Sequence, residues 1–498
     1  MTPEKVDEYY RRIFEIETLP YGAEVEVNAF INDVLRAGEP ELRTLIQTKI
    51  VPILRSGAPS ELKRDILSDF GKIVKHSHLR QLFFNHIERA ATSDHFNAFK
   101  DAVNEKEPGK RTVVFVAHSP YFLILRESMY LRKNGFRTYL ISTWDFVDEL
   151  LDVFRNNFDG VITTHGSLNI TQRLITRLKP DIFHVQCCMW FTVLGRIAIE
   201  NGGAAKVICE FYDITSIYAD RRELLTNWEE EIIDFEMAME NYIVKNSDGI
   251  ITRFPERAID ELRERNNSTV PHVRMQAYPC EEFISYSDRK LSEGEKTIRT
   301  VFAGGLVPTN ERHPANLFPE SGTPLAYRTI LEQDIGIDVF QILHSEIKEG
   351  EHGYNDYIRL AGEFPNFRLL TGVSPDKLAE SLSVYNFGIL LFDYDMETSR
   401  ISETQRMNVV ATKIFSYLEA GIPVLVNAEY EEMAHIVSNH GLGLALHSSE
   451  ITVLREKIES CDYSALVENI KRFNQEQSME KMISRLIALY DNLSSPSG

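Results

Sequence analysis

Cysteine is scarce in this chain, and the scarcity is informative. The five residues Cys187, Cys188, Cys209, Cys280 and Cys461 are odd in number and fall in no metal-binding spacing. That argues against a disulfide-stapled scaffold and against a Cys/His zinc module, and a reducing compartment is expected. Long apolar runs are lacking too, with nothing approaching the roughly 18 residues of a membrane-spanning helix. The opening MTPEKVDEYY has neither the basic region nor the apolar region of a signal peptide. Cytoplasmic localisation, with no transmembrane segment, is the resulting expectation. Basic charge is in deficit, 54 Lys and Arg against 74 Asp and Glu, for a net −20. A nucleic-acid partner needs a basic stripe and anionic lipid needs clustered Lys and Arg, so neither is expected.

What is present is an ordinary globular composition, 43% hydrophobic and 26% charged, in 498 residues. That length calls for two or three domains. Residues 1–105 contain no convincing strand but show helical apolar periods over 40–56, 60–76 and 78–104. They read as a helical accessory domain for docking or homo-oligomerisation. The polar hinge Glu105-Lys106-Glu107-Pro108-Gly109-Lys110 follows, and the texture then changes. Apolar strands are expected at 112–117, 136–141, 160–163, 181–186, 206–210 and 249–252, with helices between them. This alternation implies a parallel sheet covered on both faces, over 110–280. Polar sequence from about 265 to 297 precedes a second such unit over 297–460. Its strands are expected at 300–303, 338–343, 367–370, 388–392 and 424–426. An amphipathic helix closes the chain at 464–493.

One segment speaks most directly about function: Lys413-Ile414-Phe415-Ser416-Tyr417-Leu418-Glu419-Ala420-Gly421-Ile422-Pro423-Val424-Leu425-Val426-Asn427. Residues 411–420 read as a short helix, Gly421 as its left-handed cap, and Pro423 as a block on further helix. The segment resembles the donor-site helix of GT-B glycosyltransferases of the GT4-like kind, with Ser416 standing where that family has Glu. Other stretches resemble the family in the expected order. They are Lys179-Pro180-Asp181-Ile182-Phe183-His184, Glu210-Phe211-Tyr212-Asp213, the acidic helix from Glu230 leading into Ser247-Asp248-Gly249-Ile250-Ile251-Thr252, and Gly304-Gly305. Phe364-Pro365-Asn366-Phe367 with Leu370-Thr371-Gly372-Val373, and Tyr385-Asn386-Phe387-Gly388-Ile389, continue the series. The resemblance covers roughly 110–495. It implies two doubly wound, Rossmann-like α/β domains; the all-α segment that precedes them lies outside it. The first domain would face the acceptor and the second the nucleotide-sugar donor, with the last helix crossing back to the first.

The resemblance also implies roles. Gly304 and Gly305 would form a side-chain-free turn at the donor phosphates, with Lys413 aimed at the same charge. Leu306 replaces the Arg that often follows those glycines, and Arg312 is the candidate substitute. Gly372 and Val373 lie where the family reads the nucleobase. Asn408 and Ser416 occupy the positions of a Glu pair, the second of which grips the ribose. Neither offers a carboxylate's charge-assisted, bidentate hold, and Glu419 is a candidate replacement. On the acceptor side, His118 ends the first strand, while Glu210 and Asp213 end a buried strand of the first domain. These three are the candidates for a base or a hydroxyl-positioning group. His184, inside an apolar strand, reads as a hydrogen-bonded core residue. No metal site or cofactor is expected, with the nucleotide sugar serving as co-substrate. Asp393-Tyr394-Asp395 has the letters of an acidic metal motif but reads as a cleft loop.

The function expected is therefore a metal-independent, retaining glycosyltransferase acting on a hydroxyl of a glycan or protein acceptor. Two alternatives stay open: a non-catalytic GT-B scaffold that binds a partner or nucleotide sugar, and a sugar-nucleotide 2-epimerase.

Overall fold

The computed structural model describes residues 1–16 and 94–494, apart from short stretches at 121, 144–145, 147, 165–167, 190, 227, 229, 294–296, 310–317, 344–346, 348–352 and 395–398. The helical periods expected at 40–56 and 60–76 lie outside the described residues. Within 1–105, the helices Pro3–Ile16 and Asp94–Asn104 both pack on the first Rossmann-like domain. The Met1 amine sits 2.7 Å from Asp234. Asp7 accepts from Arg196 at 2.8 Å, and that guanidinium lies 4.0 Å over the Tyr10 ring.

The first sheet contains β1 (Thr112–Ala117), β2 (Arg137–Ser142), β3 (Gly160–Thr163), β4 (Ile182–Cys187), β5 (Lys206–Phe211), β6 (Gly249–Thr252) and β7 (His272–Arg274). All pair in parallel, in the order β3-β2-β1-β4-β5-β6-β7. The second sheet contains β8 (Ile298–Ala303), β9 (Ile335–Phe340), β10 (Phe367–Leu370), β11 (Phe387–Leu390), β12 (Val424–Asn427) and β13 (Gly443–Leu446). It too is parallel, in the order β10-β9-β8-β11-β12-β13. Strands buried on both faces need continuous apolar runs, and β1 and β12 supply them. The edge strands β7 and β13 are short and only partly buried, which is why their sequences carry so weak a strand signal.

In each sheet the strand order reverses beside the first strand, between β1 and β4 and between β8 and β11. Such switch points open crevices at the carboxyl ends of the strands, where ligands bind. The two units are joined closely. One continuous apolar core runs from β1 and β4 through Tyr278 and Phe283 to Ile414, Phe415 and Val424. Buried across the joint, Arg126 donates to Glu419 at 2.7 Å and also to the Ala277 carbonyl. The other Glu419 oxygen accepts from the Cys280 backbone N–H at 2.7 Å. The helix Met479–Ser494 returns to the first domain, where the Tyr490 hydroxyl meets His184 Nδ1 at 2.7 Å. None of the described helices is long and apolar enough to cross a membrane.

Candidate functional site

Lys413 is the first residue of the helix Lys413–Glu419, and it reaches toward the end of β8. Gly304 directly follows the strand, and its φ of 133° is open to glycine but not to residues with a Cβ. A Cβ there would also lie 2.6 Å from Lys413 Cε. Glycine is therefore what lets the lysine stem pass across the strand end. The ammonium lies 5.4 Å from the Phe302 ring and has no hydrogen bond or ion pair among the described residues. Burial lowers its pKa, with the charge of Glu320 opposing that shift and Arg253 adding to it.

Lys413 opens onto a cavity of about 270 Å³ between the two domains. Gly305 and Leu306 form part of one wall, and the aromatic rings of Tyr218, Phe318, Phe392 and Tyr430 form much of the rest. Among the described residues four charged ones reach it: Asp213, Arg253, Glu320 and Lys413. Asp213 and Arg253 follow β5 and β6, and they form an ion pair. The guanidinium also lies 4.4 Å over the Tyr212 ring and donates to the Val410 carbonyl of the second domain at 3.2 Å. Tyr212 and Thr412 hydroxyls, 3.1 Å apart, add a second link between the domains. Glu320 sits on the single turn Pro319–Gly322. One of its carboxylate oxygens, Oε2, is sealed from solvent without a hydrogen-bond partner. Burial raises its pKa; the charge of Asp213 adds to the shift while that of Lys413 opposes it. An apolar, aromatic cavity with a few convergent charges is the usual make-up of a small-molecule site.

Of the residues expected at the site, Gly305, Lys413 and Asp213 line the cavity, and Gly304 abuts Lys413. Asp213 is already held by Arg253, so it is a poor free base. Arg312 lies outside the described residues. His118 directly follows β1, but its Nδ1 is 2.6 Å from Thr143 Oγ1 and its ring stacks on Phe191, away from the cavity wall. Gly372 follows β10, where a Cβ would collide with the backbone of Gln341 and Leu343; neither it nor Val373 lines the cavity.

Four expectations need correction. Glu210 is not at the cleft: β5 runs on to Phe211, and the Glu210 carboxylate lies inside the first domain, 3.5 Å from His184 Nε2. Glu419 is committed to Arg126 and Cys280 at the domain joint, where burial still raises its pKa against the opposing effect of Arg126. Asn408 Oδ1 accepts from Arg257 at 2.9 Å, a contact that bridges the domains and leaves no open ribose grip. Ser416 is buried in its helix and takes no part in the cavity wall.

Arg253 and Glu320 were missed. Arg253 directly follows the β6 strand, so the rule that ligands gather at carboxyl ends of strands could have found it. Glu320 lies in the long loop between β8 and the helix Thr323–Leu331 and carries no sequence signal.

The model of the glucosyltransferase 3-like C-terminal domain matches residues 352–488, which span most of the second Rossmann-like domain and the start of the returning helix. No curated protein matches the chain. Among solved structures, Anabaena HepE in complex with UDP and glucose is 12% identical, with a TM-score of 0.52, over 77% of this chain and 99% of that one. A mutant O-GlcNAc transferase from Thermobaculum terrenum, also 12% identical, aligns over 98% of this chain and 84% of its own at a TM-score of 0.46. S. aureus MnaA with UDP aligns over 77% and 97% at 12% identity and a TM-score of 0.48. With its two facing Rossmann-like sheets and its cavity between them, this chain has the GT-B fold of glycosyltransferases, and its second domain is similar to that of glucosyltransferase 3-like proteins.

Proposed function

We propose that this chain is a glycosyltransferase, GT4-like, that moves a sugar from a nucleotide-sugar donor to a hydroxyl of a glycan or protein acceptor. Lys413 carries the reading: an ammonium without an ion-pair partner among the described residues, at a helix start, crossing the glycine that follows the first strand of the second domain. A cation beside backbone N–H groups is what a departing phosphate needs, because negative charge develops there as the glycosidic bond breaks. Arg253 is a second cation on the same cavity, partly neutralised by Asp213. The UDP bound in HepE and MnaA makes a uridine diphosphate sugar the first donor to try.

In this reading the sugar lies against the aromatic wall, and Glu320 accepts hydrogen bonds from its hydroxyls. Retention of configuration and independence of metal belong to the proposal. So does a docking or oligomerising role for residues 1–105.

The missing Glu pair favours one rival reading, a scaffold that binds a donor without turnover, since Asn408 is engaged by Arg257 and Ser416 stands outside the cavity. Incubation with a panel of UDP-, GDP-, ADP-, TDP- and CMP-sugars separates the readings. Nucleotide release that is lost in Lys413→Ala supports transfer. Binding without release supports the scaffold, and an epimeric nucleotide sugar supports an epimerase. If no donor binds, the proposal fails.

A further inference from the structure

Beneath the first sheet, away from the cleft, three ionisable side chains converge with several of their polar atoms left unpartnered. His184 lies on β4 and Glu210 on β5. The register pairs His184 with Ile208 and Gln186 with Glu210, so both side chains point to the same face two positions apart. Glu127 comes from the helix Phe122–Lys133. His184 Nε2 is 3.5 Å from Glu210 Oε2 and 3.7 Å from Glu127 Oε2, and one ligand atom from each residue falls within 4.8 Å of the others. Glu127 Oε1 and Oε2, His184 Nε2 and Glu210 Oε2 are all sealed from solvent without a hydrogen-bond partner among the described residues. Orphaned buried groups of this kind are rare in folded proteins and point to something that sits among them.

We propose that Glu127, His184 and Glu210 bind one divalent transition-metal ion, Zn²⁺ first, as a structural site. Metal–ligand bonds of about 2.0–2.2 Å at tetrahedral angles put ligand atoms about 3.3–3.6 Å apart, close to the spacing around His184 Nε2. The orphaned atoms supply three ligand groups, His184 Nε2, Glu210 Oε2 and the Glu127 carboxylate, whose two oxygens are too close to span a tetrahedral angle and share one corner. Two carboxylates and a dication cancel, which removes the cost of burying bare charge. Without an ion, the imidazole offers at most one proton to three orphaned oxygens. The outer contacts suit the same purpose. The Tyr490 hydroxyl, 2.7 Å from His184 Nδ1, can accept from an Nδ1–H, the tautomer that leaves the Nε2 lone pair free for an ion, and the Phe115 ring stacks on the imidazole at 4.6 Å. Because Tyr490 belongs to the helix Met479–Ser494, the ion would pin the returning helix to the first domain. The ligands are scattered along the chain, so no metal-binding spacing announces them.

The test is elemental analysis of the full untagged chain, purified without chelator. One equivalent of zinc, or of another divalent transition metal, is expected to survive gel filtration. Protein unfolded with chelator and refolded with Zn²⁺ should melt at a higher temperature than protein refolded without it. The near-isosteric variants Glu127→Gln and Glu210→Gln should lose the ion, and Tyr490→Phe should weaken its binding about 10- to 100-fold. Protein free of metal as purified, with no stoichiometric uptake on refolding with Zn²⁺, Mn²⁺ or Fe²⁺, would overturn the proposal. So would Glu127→Gln that is as stable as the parent, since a proton-sharing network would tolerate the amide and a metal site would not.

Discussion

Replacing Lys413 by methionine should weaken donor binding while leaving the empty protein as stable as before or more so. The methionine keeps most of the stem that passes Gly304 and removes only the charge. A hydrogen bond to a charged group contributes about 1.5–3 kcal/mol, so loss of the ammonium–phosphate contact should cost about 10- to 150-fold in nucleotide affinity. The stability sign runs the other way. Burial depresses the Lys413 pKa in the folded chain, so between that value and the unfolded value near 10.4 the unfolded state binds more protons. Stability therefore rises with pH across that window. Below it the cost of the buried charge is present in full, and methionine removes that cost. Calorimetric titration of UDP into parent and variant reads the first effect, and urea melts at pH 7 read the second. Unchanged UDP affinity in a folded variant would refute the phosphate assignment. A marked drop in stability would refute the argument from burial.

Glu320→Gln should reduce affinity for the nucleotide sugar but not for the nucleotide alone; an equal effect on both, seen by competition binding, would remove Glu320 from the sugar subsite. Gly304→Ala should destabilise by about 1–3 kcal/mol because of its φ, and should also displace Lys413, so denaturant melts and UDP titration should both register it. At the domain joint, Arg126→Met leaves the Glu419 carboxylate buried with the Cys280 N–H, at a cost of about 3–5 kcal/mol. Glu419→Gln should cost less, since Arg126 keeps its carbonyl acceptors; the reverse order in urea melts would contradict this account. Burial alone would raise the Asp338 pKa, but hydrogen bonds from Arg368, Tyr385 and Arg299 outweigh it and hold the carboxyl below its usual value. Its contribution is therefore present above about pH 3.9 and is lost as pH falls below that, and Asp338→Asn should flatten this part of the stability–pH curve.

The local features that were legible in the sequence are those set by short-range chemistry. Gly421 does cap its helix, at a φ of 68°, and Pro423 does lead into a buried strand. Lys413 lines the cavity, a position expected from the resemblance of its segment to a donor-site helix. Glu210 was misplaced by a small margin. The strand that holds it is one residue longer than its apolar run suggests, and side chains alternate faces along a strand, so one position decides between cleft and core. Glu419 has the same difficulty on a helix. Whether that face meets solvent, ligand or Arg126 depends on how two domains dock.

The chain's apolar runs and its Gly and Pro punctuation were enough to imply two parallel-sheet domains. Those are consequences of local conformation and strand period, which act over a few residues. Only the tertiary structure decided which charges face the cavity and which are committed elsewhere. It paired Asp213 with Arg253 and Glu419 with Arg126, brought Glu320 to the wall, and gathered Glu127, His184 and Glu210 around one buried point. Each of those arrangements joins residues far apart in the chain, and electrostatic pairing acts through space, where sequence order carries no record of it.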